Sequence, residues 1–321
     1  MNNYSWLQQR LHQLALSSNF MREMAFDIES TFISPPEEGD MHVFVAGLAR
    51  SGTTILLNAI HESHKFASLS YNDMPFVLAP NLWSKISFDK KNIGLIERSH
   101  GDGIKISTES PEAFEEVFWK TFDDGDPESA KKFKIFVQLI TYKYKKIRYL
   151  SKNNQNIQRL ELISQIFPSS KILIPFRDPI QQAYSLLLQH EKFIKDSNED
   201  QFISDYMKLI GHREFGPSYI PIHNKNLSHI ADLDINHWLE QWHCVYKYCY
   251  EKLHNLPNIH FISYEKLCSS NDYWYEILEL LQISNPKNFN FQESKKAVNC
   301  NVEESLKQNA YLLYRQLSKL S

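Results

Sequence analysis

Only nine glycines and thirteen prolines punctuate the 321 residues, too few for a collagenous, low-complexity or disordered chain. Cysteine is scarcer still. Cys244, Cys249, Cys268 and Cys300 are the four, with no CxxC pair and no zinc-type spacing to histidine, so they read as reduced thiols, mostly packed. A surplus of positive charge is also missing: 35 Lys+Arg against 38 Asp+Glu gives a formal net charge of −3. No global basic field exists to hold nucleic acid or an anionic membrane, and any anion site must be local. No apolar run reaches the roughly 18 residues of a membrane span, and the first thirty residues lack a basic stretch followed by an apolar one. The expectation is a cytoplasmic protein with no signal peptide and no nucleic-acid partner.

What remains is close to an ordinary globular composition, 42% hydrophobic and 23% charged. Trp6, Leu7, Leu11, Leu14, Met21 and Met24 follow helical spacing until Pro35-Pro36, which predicts an N-terminal helical arm over 1–38 in front of a single core over 39–321. His42 to Ala46 reads as a strand, Gly47 to Gly52 as a turn and Thr53 to Glu62 as a helix. The alternation returns with a strand over Ile147 to Lys152, a helix over Ile157 to Phe167, a strand over Lys171 to Phe176 and a helix that Asp178 caps and Pro179 opens. A helix over His237 to Leu253 precedes a third such strand, Ile259 to Ser263, and helices near Asp272 to Leu281 and Val302 to Leu320 follow. Short apolar strands alternating with helices predict an α/β fold, three layers with a central parallel sheet covered on both faces. Asp196 to Ile230, polar and rich in His and Asn, reads as a mobile surface excursion.

Gly47-Leu-Ala-Arg50-Ser51-Gly52-Thr53-Thr54 satisfies G-x-x-x-x-G directly after a strand and at the opening of a helix, where a phosphate loop sits. Where a nucleoside triphosphatase continues with Lys then Ser/Thr, this chain has Thr53-Thr54, and the cation has moved back to Arg50. The missing lysine argues against triphosphate chemistry and for a less charged group. Arg177 stands at the carboxyl end of another predicted strand, the rim where ligands of open α/β sheets bind, with Ser185 further along the next helix. Its guanidinium fork suits a phosphate, although a salt bridge to Asp178 is the alternative.

GLARSGTT, followed by SKNNQNIQRLELISQIFPSSKILIPFRDPIQQAYSLL, resembles the two cofactor motifs of the sulfotransferases that use 3′-phosphoadenosine 5′-phosphosulfate (PAPS). The resemblance is strongest over Met41 to Gln189, with FISYEKL and SKKAVN similar to later elements; the RSGTT form is closer to the carbohydrate, tyrosyl-protein and bacterial branches. It implies a P-loop-like sulfotransferase fold and in-line sulfuryl transfer, without a metal, to a hydroxyl or amine on a small-molecule, lipid or carbohydrate acceptor, releasing PAP. It assigns Arg50, Ser51, Gly52, Thr53 and Thr54 to the 5′-phosphosulfate, with Arg50 also acting in catalysis, and Arg177 and Ser185 to the 3′-phosphate. Tyr264 and Lys296 would be later contributors to the nucleotide pocket.

A hydroxyl attacking sulfur must lose its proton to a base. Asp73, in Ser70-Tyr-Asn-Asp73-Met-Pro75, is the first candidate and His100, in Glu97-Arg-Ser-His100-Gly-Asp102-Gly103, the second; a helix cap and a loop histidine are their respective alternatives. His61 and His64 lack the further ligands of a metal site. A P-loop nucleotide or sugar kinase and a non-catalytic nucleotide-binding protein are the competing readings, and the oligomeric state is left open.

Overall fold

The computed structural model describes residues 6–36, 39–86, 96–97, 105–106, 110–199, 205, 207–222, 233–284, 289–293 and 295–321. Its centre is a five-stranded parallel sheet in the order β2-β5-β1-β6-β7, made of β1 (Val43–Val45), β2 (Phe66–Ala67), β5 (Arg148–Lys152), β6 (Lys171–Phe176) and β7 (Ile259–Ser263). A separate antiparallel pair joins β3 (Ile96–Glu97) to β4 (Lys105–Ile106). Val45 pairs with Lys152 on one side and with Leu173 on the other, so β1, the shortest of the three inner strands, fixes the register of both neighbours.

Both faces of the sheet are covered, which is why its strands are apolar throughout rather than alternating. Val43, Val45, Leu150, Leu173 and Ile262 pack against α3 (Thr53–His61), α10 (Tyr264–Ser269) and α11 (Asn271–Leu280). Phe44, Tyr149, Ile172, Ile174 and Phe176 pack on the other face. There they meet α5 (Glu116–Thr121), α6 (Pro127–Tyr144), α7 (Leu160–Ile166), α8 (Pro179–Glu199), α9 (Ile235–Tyr248) and α12 (Glu304–Leu317). The three-layer architecture expected from the sequence is therefore present. The helix after β1 lies on the first face and the helix after β5 on the second, so β1 and β5 flank the topological switch point, where the carboxyl ends of open sheets leave a crevice.

Local chemistry sets the helix starts. Asp126 accepts from Glu128 N ahead of Pro127, Asp234 accepts from Asn236 N and His237 N, and Ser270 accepts from Tyr273 N. The helix expected over Ile157 to Phe167 is divided instead: Asn153 caps a 3-10 turn over Asn154–Gln158, and α7 begins only at Leu160. Arg159 at the break is pinned by Glu116 (2.8 Å) and Asp124 (2.6 Å), a tertiary pairing that overrides helical propensity. The helix expected to run to Leu253 ends as α9 at Tyr248 and continues through a π turn, Cys249–Leu253.

Two expectations change more. Part of the supposed excursion is core: Met207, Phe215, Tyr219 and Ile222 are buried. Gly216 N donates to His190 Nδ1 (3.1 Å), the Tyr219 hydroxyl meets His237 Nε2 (2.8 Å), and Gln241 holds the backbone of Ile222. Burial, with His190 nearby, lowers the pKa of His237 to about 4, so this clamp carries a neutral imidazole.

The arm, in turn, is two helices, α1 (Trp6–Ser17) and α2 (Asn19–Phe32), and α2 is docked firmly. Phe26 packs edge-on to Phe122 with ring centroids 5.1 Å apart, and Arg22 Nε donates to Thr121 Oγ1 (2.8 Å). Glu29, fully buried, accepts from Asn81 N (2.8 Å), Asn81 Nδ2 (2.7 Å) and Leu82 N (2.9 Å) in the first turn of α4 (Pro80–Ile86). Glu29 is thus the N-terminal cap of a helix 52 residues away. Glu29→Ala strands those donors and is expected to cost about 2–4 kcal/mol. Chemical denaturation measures the loss, and limited proteolysis should find the arm cut before the core.

Candidate functional site

The turn after β1 has the form of an anion cradle. A Cβ on Gly47 would lie 2.9 Å from the Pro175 carbonyl, so only glycine lets the chain leave β1 there. Arg50 (φ 67°) and Gly52 (φ 96°) both adopt left-handed backbone, and a Cβ on Gly52 would fall 2.6 Å from the Tyr264 ring. Left-handed residues within a tight turn bring successive N–H groups to one side, a nest for negative charge. Gly52 caps α3 with no side-chain acceptor, so the positive end of the helix opens into the same turn.

The carbonyls of the turn are held from beneath. Gln182 Nε2 donates to Ala49 O (3.0 Å) while its Oε1 accepts from Trp242 Nε1 (3.0 Å). Ser51 Oγ donates to Leu48 O (2.8 Å), and the Tyr246 hydroxyl donates to Pro175 O (2.7 Å). Gln182, Trp242 and Tyr246 are fully buried, and burial pushes the Tyr246 phenol well above its ordinary pKa.

The cofactor residues expected from the sequence converge on this turn. Arg50 Nε donates to Ser185 Oγ (3.0 Å), joining two motifs 135 positions apart. Arg177, at the end of β6, lies with its guanidinium 5.3 Å from the centre of the Tyr264 ring. Tyr264 is anchored by its hydroxyl on Gln292 O (2.7 Å), and burial, reinforced by Cys268, raises its pKa to about 12. The backbone of Lys296 exchanges two hydrogen bonds with the Gln181 side chain (2.9 and 3.1 Å). Its ammonium pKa is lowered by burial and then by Arg50 and Arg177, so the three cations share one field. The alternative for Arg177, a helix-start salt bridge, has competition: Asp178 Oδ1 accepts from Gln181 N (2.9 Å) and Oδ2 from the Tyr311 hydroxyl (3.0 Å).

Lys152 was not among the expected residues. It is buried, ends β5 beside the turn in register with Val45, and lies within the field of the Glu214 carboxylate. Burial works against ionisation of Glu214, but His212 and Lys152 outweigh it and hold the acid below its ordinary pKa. A lysine closing the predicted strand Ile147 to Lys152 at its carboxyl end was the available signal. Glu214, Leu48, Ala49 and Trp238 line a cavity of about 20 Å³ at the flank of the turn. A larger cleft of about 490 Å³ lies elsewhere, among Pro36, Gly39, Asn81 and Lys145.

Asp73 is fully buried and does not touch the turn through any of its hydrogen bonds or ion pairs among the described residues. It closes a capping box with Ser70, accepting from Ser70 N (2.7 Å), rather than capping the helix after Pro75. Its Oδ2 also accepts from the Tyr144 hydroxyl (2.7 Å), and Oδ1 pairs with Lys143. His100 lies outside the described residues. Among the described residues no group of three His, Cys, Asp or Glu side chains is placed to hold a metal ion, and no helix is long and apolar enough to cross a membrane.

No curated protein matches the chain. Among solved structures it is similar to sulfotransferase STF1 from Mycobacterium tuberculosis H37Rv, at 11% identity over 98% of this chain and 87% of that one, with a TM-score of 0.47. It is also similar to sulfotransferase STF9 from Mycobacterium avium (11% identity, 98% and 79% covered, TM-score 0.44) and to a sulfotransferase from Alicyclobacillus acidocaldarius (13%, 86% and 92%, 0.40). The model of the sulfotransferase family matches residues 42–279, a span that takes in the turn, Arg177, Ser185 and Tyr264, and the chain belongs to that family.

Proposed function

We propose that the protein transfers the sulfuryl group of PAPS to a hydroxyl or amine acceptor. The observation that carries this reading is the convergence of Arg50, Arg177 and Lys296 on a glycine-shaped turn at the open end of α3. PAPS, when bound, supplies the sulfuryl group and departs as PAP. The turn's N–H groups and Arg50 hold the 5′-phosphosulfate and stabilise charge growing on the leaving side, while Lys152 adds a cation from β5. Arg177 and Ser185 hold the 3′-phosphate, and Tyr264 and Lys296 close the nucleotide side. Thr53 where a triphosphatase has lysine fits the smaller charge of a phosphosulfate tail.

For the base, Asp73 serves only by exchanging one hydroxyl donor on Oδ2, that of Tyr144, for the acceptor's own. Lys143 stays on Oδ1 through that exchange. His100 is the second candidate.

Calorimetry is expected to find PAP bound in EDTA, and more tightly than ATP titrated separately with magnesium and no chelator; tighter, magnesium-dependent ATP binding overturns the donor assignment. Each charge-assisted phosphate contact should contribute about 1.5–3 kcal/mol to the PAP affinity.

Lys296 gives a pH signature. Its pKa is lowered by burial, Arg50 and Arg177, so its charge is lost as pH rises through a value below the ordinary lysine range. PAP affinity should fall over that alkaline interval, and Lys296→Met should bind more weakly at neutral pH with the alkaline limb gone. Identical pH profiles for the two proteins would remove Lys296 from the site.

Asp73→Asn is expected to leave PAP affinity intact and lower turnover about 100-fold or more, using an acceptor found by mass gain in metabolite extracts. It should also melt earlier, because Lys143 loses its buried counterion. Near-normal turnover in Asp73→Asn together with loss in His100→Ala would give the role to the histidine.

A further inference from the structure

Phe176 pairs with Ser263 at the carboxyl ends of β6 and β7, so Arg177 and Tyr264 leave the sheet side by side, and Asp178 and Glu265 follow one residue later. Two carboxylates are thereby delivered to the rim that carries the cations. A carboxylate there has every reason to meet Arg177, because a charge-assisted bond to a guanidinium is about twice as strong as one to a neutral donor. Both are engaged otherwise. Asp178 Oδ1 accepts from Gln181 N (2.9 Å) and Oδ2 from the Tyr311 hydroxyl (3.0 Å). Glu265 Oε1 accepts from Asp178 N (2.9 Å) and Oε2 from the Tyr314 hydroxyl (3.0 Å). Each of the four oxygens thus has an uncharged donor, and two of those donors stand one turn apart on α12. That helix is seated by other contacts: Leu313 and Leu317 are buried, the Tyr314 ring meets Phe176 edge-on at 5.7 Å, and Lys266 Nζ donates to Ser318 O (3.3 Å) and Ser321 O (2.6 Å) just past its end. Burial, and then the facing carboxylate, raises the pKa of both phenols, so both hydroxyls remain donors.

We propose that Tyr311 and Tyr314 are specificity-determining positioning residues: their hydroxyls turn Asp178 and Glu265 away from Arg177, so that its guanidinium meets the 3′-phosphate of the nucleotide rather than a carboxylate. This role rests on the PAPS reading and deepens it, since discrimination for the 3′-phosphate is then set by the last helix of the chain. Without its phenol donor, an oxygen of Asp178 or Glu265 gains most by turning to Arg177, which adjoins Asp178 in sequence and lies against the ring of Tyr264 beside Glu265. A guanidinium already paired in this way must give up that pairing to bind phosphate, and affinity falls by the difference. A 5′-phosphate held by the turn is not subject to this competition.

Calorimetry with PAP and adenosine 5′-monophosphate is the test. Tyr311→Phe and Tyr314→Phe keep the rings and their packing, so both proteins should fold. Each should bind PAP about tenfold more weakly than wild type and the 5′-monophosphate within about twofold of it. Asp178→Asn added to Tyr311→Phe should return PAP affinity to within about threefold of wild type, because asparagine still caps α8 but no longer neutralises Arg177. Glu265→Gln should do the same for Tyr314→Phe. A tie that merely steadied α12 would not be repaired by removing a charge. PAP affinity unchanged in both single variants overturns the proposal, as does a loss shared equally by the two nucleotides or one that the amides fail to repair. A wild type with no preference for PAP overturns the donor assignment and this role with it, so wild type alone tells the two failures apart.

Discussion

The placing of three cations, Arg50, Arg177 and Lys296, around one turn is the constraint on which the rest of the site depends. Three cations in one field destabilise a fold unless each is held by something other than its neighbours. The first turns of α8 do much of that holding: Gln181 fixes Lys296, Gln182 fixes the turn through Ala49, and Ser185 takes Arg50. Arg177 is steadied by the face of Tyr264, and Tyr264 is also the ring against which Gly52 must remain bare. A ligand bringing anions into this field relieves the repulsion.

The fold supplies the rigidity this requires. Because β1 pairs with both β5 and β6, the turn that follows it sits between Lys152 and Arg177 with its height set by two registers at once. Buried Trp242 and Tyr246 on α9 close the space beneath: Trp242 orients Gln182, which donates to the turn's Ala49 carbonyl, and Tyr246 donates to the Pro175 carbonyl of β6. The segment 207–222 is fastened over the flank by His190, His237 and Gln241, bringing Glu214 into the field of Lys152. The lowered pKa of His237 means that the clamp weakens as pH falls from about 6.5 toward 4, since the unfolded chain then takes up a proton that the folded one refuses.

What could be read from the sequence follows from how local its cause is. Gly47, Gly52 and the run Lys171 to Phe176 announce themselves through neighbours, and β6 and β7 have the ends that the sequence predicts. Asp178 and Pro179 open α8 for the same reason. Glu29 capping α4, and Arg159 breaking the helix before α7, depend on partners far along the chain, and no local pattern carries them. The segment 207–222 misleads because its buried Phe215, Tyr219 and Ile222 are diluted among histidine and polar residues. Asp73 is the intermediate case: Ser70-x-x-Asp73 is a legible capping box, whereas Lys143 and Tyr144 reach it only in three dimensions.

The central claim is that the rim recognises two separate anions on one nucleotide, with Arg177 serving the 3′-phosphate. The direct measurement compares the affinities of PAP and adenosine 5′-monophosphate in wild type and in Arg177→Ala. The account predicts that wild type prefers PAP, that this preference collapses in the variant, and that affinity for the 5′-monophosphate changes little. A preference for PAP of equal size in both proteins would contradict it.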